Sequence, residues 1–307
     1  MDFEMRTQTG AVIIAYNPNL NQFINVITAA LEQTDCLVIV NNSQKKLSFF
    51  SELLPPHLVS RFNIIENGDN LGVAMALNYG IKFLIKKNCS HLIFLDQDSI
   101  IPEKMVYQLR DTFVHFQLKG VKIAAVGPSF FDTSLQKLSP FINFKEYGYE
   151  FIFGNSNKPI VPAHLLITSG TFTSVEVVND VGLMEVGLFI DCVDHEWCLR
   201  AISKGYELLG DTRVIMEHTI GDEPIIFRNK KFHKHSPLRH YYIARNTVHL
   251  LKRKYIPFKW RLNMLLSTIK LFIFYSLIDN NKLEHFQMML RGFYHGIVGK
   301  IGRYDLV

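Results

Sequence analysis

A chain of 307 residues, 48% hydrophobic and 20% charged, is long enough for one large or two modest domains with a real core, and too apolar to be disordered. Its four cysteines, Cys36, Cys89, Cys192 and Cys198, form no Cys-x-x-Cys pair, which excludes a short-spaced disulfide framework and predicts a reducing, cytosolic compartment; the acidic start Met1-Asp2-Phe3-Glu4 predicts no secretory signal. The net charge of +5 conceals an asymmetry, because twelve Lys and Arg and no acid lie between Pro224 and Ile278, leaving 21 bases against 28 acids elsewhere. A basic tail on a mildly acidic body predicts a polyanionic partner, either nucleic acid or anionic lipid.

The first part of the chain alternates. Ala11–Tyr16 reads as a strand, Asn19–Gln33 as a helix, Cys36–Val40 and Phe62–Ile65 as strands, and Leu71–Lys87 as a helix. His91–Leu95 is the next strand, a helix follows from Pro102, and Lys122–Val126 closes the series. Such alternation predicts an α/β fold around a mostly parallel sheet covered on both faces. Residues 132–162, rich in Phe, Ser, Asn, Gly and Pro, read as an irregular excursion beside the site. Regular signals return at Leu165–Ile167 and Thr171–Ser174, then in a helix from Asp194 to Lys204 stopped by Gly205. Beyond Pro237 the pattern is helical over 237–252, about 258–277, and 282–297. The apolar run Met264–Ile278 is shorter than the roughly 20 residues a spanning helix needs and is interrupted by Lys270. With Lys252, Arg253, Lys254, Lys259 and Arg261 just before it, it reads as a helix lying on an anionic membrane surface. The alternative is a packed appendage or an interface between copies of the chain.

Chemistry is expected where strands end. In Asp96-Gln97-Asp98 the two acids are i and i+2 on extended backbone, so both carboxylates can face one divalent cation whose open positions accept phosphate oxygens. Alone such a tripeptide is ordinary turn chemistry; its place at the carboxyl end of a buried strand makes it a candidate site. Ala15-Tyr16-Asn17 and Asn41-Asn42-Ser43 end two earlier strands, offering amides and a hydroxyl to a uracil- or thymine-like base and a ribose. Asn70-Leu71-Gly72 opens a helix that carries Asn78, and a helix N-terminus favours a diphosphate. Neither Gly-x-Gly-x-x-Gly nor Gly-Lys-Ser/Thr is present, which argues against dehydrogenases and P-loop NTPases. A second acidic cluster, Asp191, Asp194 and Glu196, offers a general base, although Asp194 could simply cap a helix and Glu196 could pair with Arg200. His218 is a candidate third metal ligand, against the more common structural role of a lone His.

In order, Ala15–Pro18, Asn41–Ser43, Asn70–Asn78, Asp96–Asp98, Thr168–Thr171, Phe189–Arg200 and Arg239–Asn246 resemble the inverting family 2 glycosyltransferases of GT-A fold, especially bacterial rhamnosyltransferases, over about residues 10–250. The resemblance implies a nucleotide-sugar donor, dTDP-β-L-rhamnose, and Mg²⁺ or Mn²⁺ at Asp98 with His218, Asp96 lying nearer the ribose or the metal. It implies Asp194 as the base, Glu196 supporting the site, Ser169 and Gly170 lining the sugar pocket, and Arg245 as a further donor contact. Where the family often has an acid, this chain has Asn41. The expected organisation is a GT-A domain over 1–235, with a donor half to about 128 and an acceptor half from about 129, and a basic helical region over 236–307. The acceptor would be a saccharide, on a lipid diphosphate, in surface polysaccharide synthesis at the inner face of the cytoplasmic membrane. Rival readings are a nucleotidyltransferase, which lacks its glycine-rich basic loop here, and a nucleic-acid-binding protein, which leaves two acidic clusters unexplained.

Overall fold

The computed structural model describes residues 7–218, 222–227, 230–279 and 281–304; the first residues, on which the expectation about a secretory signal rests, lie outside them. The donor side is built from β1 (Thr9–Ala15), α1 (Leu20–Gln33), β2 (Cys36–Asn41), two short helices α2 (Phe50–Leu53) and α3 (Pro56–Val59), β3 (Phe62–Glu66), α4 (Val73–Lys86), β4 (His91–Asp96) and α5 (Met105–Leu118). Next come β5 (Ile123–Asp132), β6 (Lys137–Leu138), β7 (Phe141–Phe144), β8 (Tyr149–Ile152), β9 (Ile160–Ala163), β10 (Phe172–Ser174), α6 (Val175–Val181), a 3-10 turn (Val186–Leu188), α7 (Val193–Ser203), β11 (Glu207–His218), β12 (Asp222–Phe227) and β13 (Lys230–Lys234). Three helices finish the chain: α8 (Pro237–Leu251), α9 (Phe258–Ile278) and α10 (Lys282–Ile297).

The main sheet runs β3-β2-β1-β4-β10-β5-β11-β9, with β6 on β5. Its β3-β2-β1-β4 half is parallel, as the alternating pattern predicts, and β5 and β11 are parallel to each other. The short β10 runs antiparallel between β4 and β5. Strands Cys36–Asn41 and His91–Leu95 are buried along their length because helices cover both faces. This topology brings the carboxyl ends of β1, β2 and β4 to one edge, where ligands of open α/β sheets bind.

The excursion expected over 132–162 is corrected: it contains β6, the β7–β8 hairpin and β9, the last pairing with β11 at the sheet edge. These strands are only two to four residues long, too short for period-two alternation to register. Leu165–Ile167 is no strand; it joins β9 to β10 and makes one bridge from Leu165 to Ile142. The C-terminal helices fall where the periodicity puts them, but α9 has 21 residues and is, by length and composition only, long enough to cross a membrane. The length argument drawn from Met264–Ile278 is thereby corrected, because the helix starts six residues earlier.

Candidate active site

The Asp96–Asp98 turn is fixed from below. Ser169, buried on the loop before β10, accepts the Asp96 amide at 3.0 Å and pairs with the Ser99 hydroxyl at 2.7 Å. Gly170 holds φ +81° with its α-carbon against Pro128, where a Cβ would sit 2.5 Å from the ring, and donates its amide to Phe94. Gln97 does not reach outward: its Oε1 accepts the Tyr16 amide at 2.7 Å and its Nε2 donates to the Tyr16 carbonyl at 3.2 Å, tying β4 to the end of β1. Asp98 is half-buried, and among the described residues its carboxylate has no side-chain partner. Two carboxylates of hard oxygen character at one turn fit a divalent cation that completes its shell with water and phosphate oxygens. The third expected ligand, His218, ends β11, and its side chain lies outside the described residues.

Several expected donor contacts are structural. Ala15 is buried and its carbonyl accepts the Asn42 amide. Asn42 is buried, donating to the Gly72 carbonyl and accepting from Asn67. Asn78 is buried and exchanges both amide functions with the Met184 backbone at 2.9 Å. Asn41 is buried too, donating to the Lys45 carbonyl and, at 2.6 Å, to Glu66. Glu66 lies opposite Asn41 in the β2–β3 register, so an acid does neighbour Asn41, and its other oxygen accepts the Leu47 amide at 2.7 Å. The N-terminus of α4 is also taken: the Val73 amide donates to the Phe189 carbonyl at 2.7 Å, with Ala74 at 3.4 Å. Gly72, at φ +84°, lets Phe189 press against it, and a Cβ would meet that ring at 2.5 Å. The diphosphate expected on these amides is thus displaced by Phe189. Exposed at the edge are Tyr16 and Asn17, with half-buried Asn70, whose Oδ1 accepts the Gly72 amide.

Facing this edge is the loop before α7. Phe189, Asp191 and Cys192 all have positive φ, 65°, 61° and 61°, uncommon for residues other than Gly and concentrated at functional sites. The strain is held by α8. The Asn246 amide donates to the carbonyls of Leu188, Ile190 and Asp191 at 2.8–3.0 Å. Arg245 is buried, donates to the carbonyls of Gly187, Leu188 and Gly302, and packs over Tyr241 and Tyr242. The expectation of Arg245 at the donor is corrected accordingly.

The missed cation is Arg239, in the first turn of α8. Its guanidinium meets Asp191 at 2.6 Å, its side chain is 40% exposed against 10% for Asp191, and the charges of Asp191, Asp194 and Asp96 all hold it protonated. Periodicity puts two arginines on α8, and only docking decides which faces the acids. His235 lies 3.4 Å from Arg239, and burial, the Arg239 charge and His233 push its pKa down to about 4, so it is neutral.

The second acidic cluster separates into three roles. Glu196 is buried, bound by Arg200 through Nε and Nη2 at 2.8 Å and by the Tyr255 hydroxyl at 2.6 Å, beside a cavity lined by Glu185 and Arg253. Its contacts make it a buried, ion-paired strut. Asp191 is paired to Arg239. Asp194 accepts only the adjacent His195 amide, at 2.8 Å, among the described residues. His195 and Ser169 line one small apolar cavity of about 80 Å³, which brings the start of α7 to the Asp96 turn. Burial and the neighbouring carboxylates raise the Cys192 thiol well above its ordinary range.

Residues 11–174 match glycosyl transferase family 2. Over 307 aligned residues the chain is 32% identical to dTDP-rhamnosyl transferase RfbF of Shigella flexneri, covering 97% of this chain and 98% of that one. Its fold is similar to the crystal structure of GalNAc-T7 with UDP, GalNAc and Mn²⁺, at TM-score 0.57 and 13% identity, over 96% of this chain and 56% of that chain. It is also similar to S. aureus TarS 1–349, at TM-score 0.50 and 11% identity, over 95% and 81%.

Proposed function

Since the chain belongs to glycosyl transferase family 2, we propose that it moves L-rhamnose from dTDP-β-L-rhamnose to a saccharide hydroxyl, with inversion, in the synthesis of a bacterial surface polysaccharide such as O-antigen or capsule. The donor assignment is supported by the near full-length similarity to RfbF. The observation that carries the chemistry is that Asp191, Asp194 and Asp96 all lie near enough to Arg239 for their charges to act on it, while Ser169 under the Asp96 turn and His195 beside Asp194 line one small cavity.

The base and ribose of the donor meet Tyr16, Asn17 and Asn70, and the diphosphate meets Arg239, which leaves Asp191 to do so. Asp96 and Asp98 would hold Mg²⁺ or Mn²⁺, a cation that neutralises charge on a departing diphosphate. The acceptor oxygen attacks the anomeric carbon as the carbon–oxygen bond to the diphosphate breaks, its electron pair leaving with dTDP. The hydroxyl proton passes to Asp194, the acid of its cluster without a side-chain cation. One displacement turns a β-L donor into an α-L-rhamnoside. Ser169 and Gly170 act by holding the Asp96 turn, and Asp191 by holding Arg239.

The enzyme works at the cytoplasmic side of a membrane, to which it attaches peripherally. Support comes from α9 and α10, where Leu262, Leu266, Ile269, Ile273 and Leu277 recur at three- and four-residue spacing and stand exposed beside Leu283, Phe286, Leu290 and Ile297. The basic cluster contributes less than its sequence implies. Lys252 binds the carbonyls of Gly296 and Ile297, Arg253 pairs with Glu185, Lys259 with Glu146, and Arg261 binds the Leu251 carbonyl.

Binding of a panel of nucleotide sugars with and without Mg²⁺, followed by product analysis, tests the reading. dTDP-rhamnose should bind in a metal-dependent way, and Asp98→Ala should remove both that dependence and transfer while the protein stays folded. Equal affinity with and without metal would overturn the metal assignment, and preference for another sugar the donor assignment.

A further inference from the structure

A second cavity adjoins Arg239 through His235. It measures about 890 Å³ and is lined by Lys137, Lys231 and Lys270 together with Phe232, Leu271 and Phe274. The lysines come from three separate elements, β6, β13 and α9, and among the described residues none has an ion pair and the lining has no carboxylate. Three like charges converging on one hollow repel one another unless an anion sits among them. The hollow is also apolar on one wall, where Phe232 and Phe274 rings lie 4.6 Å apart, and α9, which supplies Phe274, also carries the exposed Ile269 and Ile273. His235 lines the same cavity and touches Arg239, so the cavity adjoins the catalytic cleft.

We propose that this cavity binds the phosphate-bearing head of a lipid-linked acceptor, the three lysines taking the phosphates and the Phe232–Phe274 wall taking the first part of the chain. Calling the occupant an acceptor rests on the glycosyltransferase reading above; binding at the cavity does not. The lipid would then run along the α9 stripe while its sugar reaches past His235 towards Asp194.

The test uses the full chain with saturating dTDP and Mg²⁺, and titrates farnesyl diphosphate, inorganic pyrophosphate and farnesol in parallel. Farnesyl diphosphate should bind alongside dTDP and more tightly than either fragment. The triple variant Lys137→Ala, Lys231→Ala, Lys270→Ala should weaken it by about tenfold or more while leaving dTDP affinity unchanged. Phe274→Ala should weaken farnesyl diphosphate and leave pyrophosphate as it was. Competition with dTDP, or an unchanged affinity in a folded triple variant, would overturn the site. Pyrophosphate binding as tightly as farnesyl diphosphate would overturn its assignment to a lipid. Failure of dTDP to bind would count against the donor reading alone, since the farnesyl diphosphate titration is read without turnover.

Discussion

At Asp194 the choice of base comes down to which carboxylate is left without a cation. Asp191 has Arg239, Glu196 has Arg200 and Tyr255, and Asp194 has one backbone amide. Asp194→Asn keeps the size and the acceptor oxygen while removing the base, so donor binding should persist and turnover should fall by about 10² to 10⁴. Asp191→Asn should instead loosen Arg239 and act mainly on the donor KM. Steady-state kinetics on both variants decide it, and a near-normal Asp194→Asn turnover would shift the base to Asp191. The acids at these positions were legible in the sequence. Their division of labour was not, because Arg239 and Arg200 reach them from α8 and from one helical turn away, and a sequence pattern shows spacing without showing which side chain turns inward.

Among the elements, α8 does the positioning. Its Asn246 satisfies three carbonyls of a loop whose backbone is otherwise unfavourable, so the C-terminal region holds the loop that leads through Asp191 into α7. Asn246→Ala should leave buried carbonyls unpaired and cost about 1–3 kcal/mol in denaturant unfolding. It should also lower turnover more than donor affinity, since the loop carries Asp191 into α7. A stability loss with unchanged kinetics would make Asn246 a mere core residue. The α4 terminus makes the same point from the other side. Its glycine and small residues read as a phosphate cradle, yet Phe189 fills it, because close approach of backbone serves a neighbouring loop as well as a ligand.

For the whole molecule, two solution properties follow. Burial depresses the pKa of His91 and His235 to about 4 and of His240 to about 3, with added repulsion from Arg110, from Arg239 and His233, and from His285 respectively. These residues stay neutral in the fold and would be protonated in the unfolded chain below about 6.5. The unfolded state then binds more protons, so stability is full above that value and declines as pH falls towards 4. His91 stacks on Phe172 and meets Phe113 edge-on, so His91→Phe should flatten the pH dependence of thermal unfolding between pH 6.5 and 4. The α9–α10 surface should carry the protein to anionic vesicles in flotation. Leu266→Glu with Ile273→Glu should abolish it, and high salt should weaken it only in part. A stable dimer in sedimentation, with no flotation, would assign the stripe to self-association.

Local periodicity and residue types at strand ends are enough to specify the α/β class, the candidate strand ends, the Asp96–Asp98 turn and the three final helices. Packing between distant elements is what makes Asn42, Asn78, Glu196 and Arg245 buried struts, turns Arg239 to the acids, and gathers Lys137, Lys231 and Lys270 around one cavity. Each of those facts depends on elements far apart in the chain meeting at a particular rotation. A buried polar group must find its partner wherever packing places one, and that partner is set by the fold as a whole.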